Sequence, residues 1–325
     1  MSTDRVESEP GRLGDDELNA AGELARRIAL AVTDAVEVRT ELLDNVLMCI
    51  VAEGHILIED LPGVGKTTLA RAVAKVTDLG FARVQCTADL LPADVVGTNV
   101  FNQREDRFEF RPGPIFANVV LVDEINRASP KTQSGLLECM QERRVTVDVF
   151  SHELARPFVV LATQNPVEFE GTYPLPEAQV DRFMARVSLG YPSSAGEVAM
   201  LRAHEVSDRV EVLDPVASAA ELLAVQDAAR RVHASDALRG YVVSLLQRTR
   251  KDERVELGAS PRAGLMLLRA AKARALLLGR DHALPDDVQS MADVVLSHRI
   301  VLAPEAVDTT GERIVADALA ATPAL

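Results

Sequence analysis

Residues 55–67 read HILIEDLPGVGKT, and this stretch decides the fold. A short aliphatic run, Ile56 to Ile58, precedes a turn rich in glycine and proline, and Lys66 and Thr67 then open a helical pattern. A strand, a glycine loop and a helix in this order form a phosphate cradle, in which backbone N–H groups at the helix N-terminus face an oxyanion. The sequence therefore predicts a P-loop at this position.

Several positions of the predicted loop have a chemical role. Gly63 and Gly65 let backbone N–H groups approach a phosphate with no Cβ in the way. Lys66 can reach the β- and γ-phosphates, and the Thr67 hydroxyl can ligate Mg²⁺. The predicted nucleotide-binding residues are Asp60, Leu61, Pro62, Gly63, Val64, Gly65, Lys66, Thr67 and Thr68.

One position departs from the generic pattern GxxxxGK[ST], which requires glycine where this chain has Asp60. Aspartate tolerates left-handed backbone better than most residues, but its carboxylate must point away from the phosphates. The alternative interpretation is a glycine turn before an ordinary helix, with Lys66 as a solvated lysine of the first turn.

The composition limits the partners of this chain. With 35 Lys+Arg against 49 Asp+Glu, the formal net charge is −14, so the chain repels nucleic acid and anionic membranes unless a basic patch overrides this charge. The basic residues are interspersed with acids and form no such patch. Aromatic residues make up 4% of the sequence and there is no Trp, which leaves little material for stacking on single strands. We therefore expect neither nucleic-acid binding nor membrane insertion.

Length and cysteine content indicate the broad class. The chain has 325 residues, of which 47% are hydrophobic, and is long enough for two domains. Cys49, Cys86 and Cys139 lack metal-ligand spacing, which is typical of buried thiols in a reducing compartment. No signal-peptide pattern and no run of about 18 apolar residues appears. The sequence predicts a cytoplasmic protein.

The order of elements predicts an α/β fold with two domains. Residues 1–16 are acidic and interrupted by proline and glycine, and we expect a disordered tail. Residues 17–192 alternate helix and strand patterns from a first helix at Glu17, which predicts a nucleotide-binding domain with a parallel sheet covered on both faces. Residues 193–325 are nearly all helical. Their predicted helices are Glu197 to His204, Ala217 to Val232, Ala234 to Arg250, Arg262 to Leu278 and Pro285 to Leu296.

A second landmark, VVLVDEINRA, covers residues 119–128. Four aliphatic residues predict a buried strand that places Asp123 and Glu124 at its C-terminal end, where ligands of parallel sheets bind. There Asp123 would hold Mg²⁺ with its water shell, and Glu124 would act as general base on the attacking water. Two acids after a strand can also be a simple helix N-cap. With the upstream GKT they are typical of a Walker B motif.

Three further polar residues lie at the ends of predicted elements. Asn165 follows the buried strand of FVVLATQNP and can hold the lytic water or sense the γ-phosphate, although a lone Asn is also typical of a turn. Arg182 lies near a helix end. Arg262 opens a helix, where the dipole disfavours a cation, and both a phosphate-facing role and a surface position are open. Two segments, residues 89–114 and 143–157, alternate like hairpins.

Four long stretches of the chain match one known family. They read EDLPGVGKTTLARAVA (59–74), LVDEINRASPKTQSGLLECMQE (121–142), LATQNPVEFEGTYPLPEAQVDRF (161–183) and GASPRAGLMLLRAAKARALLLGRDHALPDDV (258–288). These stretches resemble the MoxR-type AAA+ ATPases, and the likeness covers about residues 25–315. Asp60 is compatible with it, because members of this family often carry Glu-Asp before the loop.

The resemblance implies an AAA+ αβα core and a small all-helical lid domain, with ATP and Mg²⁺ as cofactors. It implies that Asn165 is sensor 1 and that Arg182 is an arginine finger for the neighbouring subunit's ATP. Arg262 would be sensor 2, contributed by the lid to its own subunit's nucleotide. The segment 89–114 is similar to the family's helix-2 insert, and 143–157 is similar to its pre-sensor hairpin, both on the pore face of a ring.

Active members of this family are hexamers that act with proteins carrying a von Willebrand factor A domain, as chaperones for metal insertion or complex assembly. The resemblance thus predicts an ATP-driven remodeller of a protein client. A nucleic-acid motor is one alternative, since related ATPases with the same inserts include helicases, but the acidic composition argues against it. A nucleotide-dependent scaffold without turnover is the other, and the intact set of site residues argues against that one.

Overall fold

The computed structural model describes residues 13–61, 63–165, 171–191, 194, 196–198 and 209–324. Its helices are α1 (Asp15–Ala35), α2 (Thr40–Val51), α3 (Lys66–Val76), α4 (Pro92–Val96), α5 (Pro130–Glu142), α6 (Glu177–Val180), α7 (Ala219–Arg231), α8 (Asp236–Lys251), α9 (Pro261–Leu277), α10 (Pro285–Leu296) and α11 (Gly311–Ala321). Its strands are β1 (Ile56–Glu59), β2 (Phe81–Gln85), β3 (Gly97–Asn102), β4 (Arg107–Pro112), β5 (Val119–Asp123), β6 (Arg144–Val147), β7 (Phe150–Glu153), β8 (Val159–Gln164), β9 (Ala185–Val187), β10 (Val255–Leu257) and β11 (Val301–Leu302). None of the helices in these ranges is long and apolar enough to cross a membrane.

The first helix begins at Asp15, two residues before the predicted start. The Glu17 side chain accepts a hydrogen bond from the Gly14 N–H over 3.1 Å, and three acids in the first turn suit the positive end of the helix dipole. The predicted tail up to residue 12, Pro62 and most of the predicted helix Glu197 to His204 lie outside the described residues.

The predicted parallel sheet is confirmed. Five strands lie in the order β2-β5-β8-β1-β9, and every neighbouring pair is parallel. The register places Ile56, at the start of β1, opposite Leu161 of β8 and Ala185 of β9. Because the strands run in one direction, the sheet has a carboxyl edge, where they end, and an amino edge, where they begin. The site residues divide between these two edges.

Both faces of the sheet are buried, as the continuous aliphatic runs predict. Ile56 and Ile58 face one side and pack into a core formed with α1, α2 and α3. Leu57 and Val120 face the other side and pack into a second core with α5. Burying each of these side chains stabilises the fold by about 1.5–3 kcal/mol.

Two hairpins extend from this core, and both lie within segments whose sequence alternates like a hairpin. β3 pairs with β4, and β6 pairs with β7, each antiparallel. The hairpins contact one another, because Asn99 Nδ2 donates to Asp148 Oδ2 over 2.6 Å. The exposed rings of Phe101 and Phe108 pack together across the first hairpin, with centroids 5.3 Å apart.

The second half of the chain is built around α9, which packs against α1, α2, α7, α8 and α10. Ser218, Ser235 and Ser260 cap α7, α8 and α9, each accepting a backbone N–H in the first turn. The four predicted helices in this described part agree with the observed ones to within about two residues. The region is not wholly helical, since β10 and β11 form an antiparallel pair.

Candidate nucleotide site

The loop between β1 and α3 has the backbone of an anion cradle. Gly63 and Gly65 have φ of 85° and 96°, left-handed values that glycine adopts without strain. Apart from the glycine and its chain neighbours, no described residue has a heavy atom within 4 Å of the point where a Cβ would sit on either glycine. The loop is therefore open at both positions, and the N-terminus of α3 begins directly behind it at Lys66.

Lys66 lies across this loop. Its Nζ donates to the backbone carbonyls of Asp60 over 2.9 Å and of Leu61 over 3.3 Å. Burial lowers the pKa of the Lys66 ammonium, and the charges of Asp123 and Asp60 act in the opposite direction. The Lys66 ammonium is thus held at the carboxyl edge by two neutral carbonyl acceptors. A charged phosphate oxygen can replace them, because hydrogen bonds between two ionised groups are stronger.

The structure explains the aspartate in the place of the first glycine. The Asp60 side chain is buried and accepts hydrogen bonds from Ser188 Oγ over 3.0 Å and from Gly190 N over 3.2 Å, as well as from Leu189 N. All three donors follow β9, whereas Lys66 Nζ donates to the backbone carbonyl of Asp60 and not to its carboxylate. The expectation that the carboxylate points away from the cradle fits these contacts.

Asp123 ends β5 and is held by two neighbours. Its Oδ1 accepts from the hydroxyl of Thr163 over 2.6 Å, and its Oδ2 accepts from Arg83 Nη2 over 2.6 Å. Sequence reasoning missed both partners. The signal for Thr163 was present, since it is a hydroxyl residue in the otherwise aliphatic run VVLAT; Arg83 follows only from the β2–β5 pairing.

Glu124 is held in a strained conformation, with φ of 55° and ψ of 50°. A non-glycine residue in the left-handed region costs roughly 1–2 kcal/mol, and such strain is common at functional positions. The Glu124 N–H donates to Thr163 Oγ1 over 2.9 Å, and Glu124 Oε2 forms an ion pair with Arg127 over 3.1 Å. One buried threonine hydroxyl therefore orients both Walker B acids.

Asn165 lies at the same edge. It directly follows Gln164, the last residue of β8, and β8 lies between β1 and β5 in the sheet. The structure thus brings together four of the predicted site residues, Lys66, Asp123, Glu124 and Asn165, at the ends of adjacent strands.

Arg182 lies near the opposite edge. Two residues after it, Met184 N donates to the His55 carbonyl over 2.8 Å, and His55 directly precedes β1. The Arg182 Nε is buried and has no hydrogen-bond partner in the described part of the chain. A buried guanidinium nitrogen without a partner is uncommon.

Arg262 lies near the amino edge as well. Ser260, two residues before it, donates its hydroxyl to both oxygens of Asp181 over 3.1 Å. Arg262 Nη2 donates to Gln141 Oε1 over 3.4 Å, and the residue before Gln141 accepts a hydrogen bond from the His55 ring over 3.0 Å. Among the described residues, no contact joins Arg262 to the P-loop.

The two groups of residues are separated by the length of the strands. A strand of four residues, such as β1, spans about 13 Å at about 3.3 Å per residue. Lys66 follows the carboxyl end of β1, whereas Arg182 lies beyond its amino end. One chain therefore holds the phosphate cradle and the two arginines at different places on its surface.

The comparisons with known proteins agree with this geometry. A family described as "ATPase family associated with various cellular activities (AAA)" matches residues 55–185, and an AAA lid domain matches residues 247–318. The chain is 39% identical to the protein named Chaperone MoxR1 of Mycobacterium tuberculosis, over 98% of this chain and 86% of that protein. The chain belongs to the MoxR family of AAA+ ATPases.

Two further proteins are similar to this MoxR-family chain. It is 51% identical to the uncharacterized protein YeaC of Bacillus subtilis, over 80% of this chain and 81% of that protein. A crystal structure of a protein from Cytophaga hutchinsonii superposes with a TM-score of 0.89 at 37% identity, and the match covers 95% of this chain and 97% of that one. The predicted MoxR resemblance and the α/β fold with a lid are thus confirmed.

The described residues of this family member contain no group of three or more His, Cys, Asp or Glu side chains that could hold a metal ion. The donors at the candidate site suit Mg²⁺ in another way, because this ion is commonly held by one or two protein oxygens and by substrate phosphates. Thr67, in the first turn of α3, and Asp123 are the two oxygen donors that the sequence predicted for it.

Proposed function

We propose that this protein is a Mg²⁺-dependent ATPase that acts as a ring, in which each ATP lies between two copies of the chain. The observation that carries the proposal is the division of the site between the two edges of the sheet. The cradle of Lys66 is complete at the carboxyl edge, whereas Arg182 and Arg262 lie near the amino edge. A site that needs both groups is assembled when one copy places its amino edge against the carboxyl edge of the next.

In this proposal, residues 60–68 bind the phosphates through backbone N–H groups, and Lys66 exchanges its carbonyl partners for phosphate oxygens. Thr67 and Asp123 would hold Mg²⁺, which when bound neutralises charge on the phosphates. Thr163 keeps Asp123 oriented for this role. The open backbone at Gly63 and Gly65 supports the assignment, because a phosphate can approach there without meeting a side chain.

We assign the chemistry of the attacking water to Glu124 and Asn165. Glu124 acts as general base, and Asn165 at the end of β8 orients the water or contacts the γ-phosphate. The strained backbone of Glu124 supports this role, since the hydrogen bond to Thr163 fixes its direction before substrate binds.

We assign Arg182 and Arg262 together to the ATP of the neighbouring copy. The resemblance implied that Arg262 serves its own subunit. The contact of Arg262 with Gln141 and that of Ser260 with Asp181 support a role beside Arg182 instead. Arginines supplied in trans are worth about 10³–10⁵ in rate in well-studied phosphoryl-transfer systems. Hydrolysis would then depend on contact between subunits, and an isolated subunit would be a poor ATPase.

The wider setting of this activity is proposed from the family. A hexameric ring, a partner with a von Willebrand factor A domain, a protein client in complex assembly or metal insertion, and a cytoplasmic location are our working assignments. The name of the Mycobacterium relative, Chaperone MoxR1, agrees with the client-remodelling part. We keep the predicted division into a nucleotide-binding domain over 17–192 and a lid over 193–325; the two family matches lie within these ranges.

The proposal is tested with Glu124→Gln. This variant should bind ATP with wild-type affinity and lose nearly all phosphate release, because the base is absent while the cradle is intact. Affinity purification of the ATP-bound variant should recover a partner or client that Lys66→Ala does not. Rapid phosphate release by Glu124→Gln would contradict the assignment. Tight, salt-sensitive binding of labelled DNA would favour a nucleic-acid motor instead.

A further inference from the structure

We propose that Asp181 and Arg299 are positioning residues that hold Arg182 and Arg262 at a fixed separation for the neighbouring copy's ATP. This inference rests on the proposed function, since it concerns how the trans-acting arginines are presented. It adds two residues that, within the described part of the chain, form no hydrogen bond or ion pair with the nucleotide cradle.

The side chain of Arg299 is 2% exposed and packs against the segment that carries Arg182. Its Nε donates to Asp181 Oδ1 over 2.8 Å, and its Nη2 donates to the backbone carbonyls of Asp181 over 3.3 Å and Phe183 over 2.5 Å. These are the residues on either side of Arg182. The planar guanidinium with several fixed donors suits this task, whereas lysine presents a single point charge.

The same aspartate connects this segment to the helix that carries Arg262. Ser260 caps α9 and donates its hydroxyl to both oxygens of Asp181 over 3.1 Å. Arg262 lies two residues further along α9. The Asp181 carboxylate therefore joins the backbone beside one arginine to the first turn of the helix that bears the other.

These contacts fix the backbone beside Arg182 and use none of its side-chain nitrogens. Arg299 occupies the carbonyls beside Arg182, but the Arg182 Nε has no partner in the described part of the chain. Anchoring the backbone in advance lowers the entropy that the guanidinium loses when it meets a phosphate. A misplacement of a catalytic group by about 1 Å can lower the rate about 100-fold. Loss of this anchor should therefore lower the turnover number.

The test compares Asp181→Asn with Asp287→Asn. Asp287 is a matched control, because it is buried and paired with Arg274 and Arg280 over 2.6 Å each, yet it lies in α10 and contacts neither arginine of the proposed pair. Both changes remove one charge from a buried ion pair and should lower the melting temperature. We expect Asp181→Asn to reduce kcat by about tenfold or more with an unchanged Kd for a fluorescent ADP analogue, and Asp287→Asn to keep kcat within about twofold.

A second readout separates positioning from general damage. Asp181→Asn subunits mixed with Lys66→Ala subunits should recover hydrolysis, because the Asp181→Asn copies keep the cradle and the Lys66→Ala copies supply correctly placed arginines to it. Donation is isolated by placing each change on a Lys66→Ala subunit, which cannot bind ATP itself. Mixed with Arg182→Ala copies, Lys66→Ala/Asp181→Asn subunits should fail to restore hydrolysis, whereas Lys66→Ala/Asp287→Asn subunits should restore it. Arg299→Lys keeps the charge pair and is the second variant if Asp181→Asn does not fold; it should show the same loss of donation.

Equal kcat in Asp181→Asn and Asp287→Asn at matched folded fraction would overturn the inference. Normal turnover by Arg182→Ala, measured beside them, would instead overturn the finger assignment of the proposed function, and the positioning role with it. Loss of donation by Asp181→Asn together with inactivity of Arg182→Ala supports both.

Discussion

The hydroxyl of Thr163 lies 2.6 Å from Asp123 Oδ1, and its oxygen accepts the backbone N–H of Glu124 over 2.9 Å. Thr163 is 1% exposed, and it links β8 to Asp123 at the end of β5 and to Glu124, the next residue. Replacing the hydroxyl by an isosteric apolar group leaves the Glu124 N–H without its acceptor and removes one of the two partners that hold the Asp123 carboxylate.

We expect Thr163→Val to lower the free energy of unfolding by about 1–3 kcal/mol, the cost of one unsatisfied buried group. Phosphate release should fall more strongly than ATP affinity, since the cradle is unchanged. Urea unfolding and steady-state hydrolysis measure the two effects. Thr163→Ser is the matched control, because it retains the hydroxyl, and it should keep most of the turnover. Full activity in Thr163→Val would show that the hydroxyl orients neither acid.

Asp60 provides a second prediction. Its carboxylate accepts from two backbone N–H groups and one hydroxyl after β9, so Asp60→Gly, which restores the generic loop pattern, removes the acceptor of all three. We expect Asp60→Gly to lose about 2–3 kcal/mol of unfolding free energy. Differential scanning calorimetry checks this, with Asp60→Asn as a partial rescue that keeps one oxygen. An Asp60→Gly protein as stable as the wild type would contradict our explanation of why aspartate replaces the first glycine of the loop pattern.

The sequence predicted the elements whose signal is local. Aliphatic runs predicted the strands, and glycine and lysine predicted the P-loop. Contacts between distant segments could not be predicted this way. No spacing pattern predicts that Arg299 lies against residues 181–183, because this contact depends on how α10 and β9 pack.

One helix that was not predicted had a signal in the sequence. The pattern of Ile314, Val315 and Ala318 behind a Thr310 cap is helical and corresponds to α11, which was not predicted. The edge of the sheet near which Arg262 lies had no signal in the sequence. The place of Arg262 at the start of a helix suggested a phosphate, but only the contact of Ser260 with Asp181 shows which edge of the sheet it lies near.

Glu53 and the arginines around it form a charged junction between several elements. Glu53 is buried and lies within 3.0 Å of Arg143 and Arg156, which flank the β6–β7 hairpin, and it also pairs with Arg230 of α7. Arg269 of α9 lies 3.8 Å away. Burial acts to raise the pKa of Glu53, but hydrogen bonds and charges from Arg230 and Arg143 outweigh it and bring the pKa to about 2.

This junction predicts acid sensitivity. Because the folded pKa of Glu53 lies below the ordinary value of 4.5, its contribution is present above pH 4.5 and is lost as the pH falls toward 2. We expect a contribution of roughly 2 kcal/mol, less than the full shift gives, since the arginines are partly exposed and screened. His55, whose pKa burial lowers to about 4, also destabilises the fold on acidification, between pH 6.5 and 4.

The measurement is the difference in unfolding free energy between wild type and Glu53→Gln from pH 7 to pH 3, which cancels the effect of His55. The difference should shrink below pH 4.5. Glu253→Gln, at an exposed glutamate, is the control and should show no such trend. A constant difference across this range would contradict the assigned role of Glu53.

The central claim is that one copy binds ATP and the next copy triggers its hydrolysis. Mixing Lys66→Ala subunits, which keep the arginines, with Arg182→Ala subunits, which keep the cradle, tests it most directly by steady-state phosphate release. Each variant alone should be nearly inactive, and an equal mixture should recover activity, because random assembly pairs an intact cradle with an intact arginine at about one interface in four. A mixture no more active than its components, or an Arg182→Ala protein that hydrolyses ATP at the normal rate, would contradict the account.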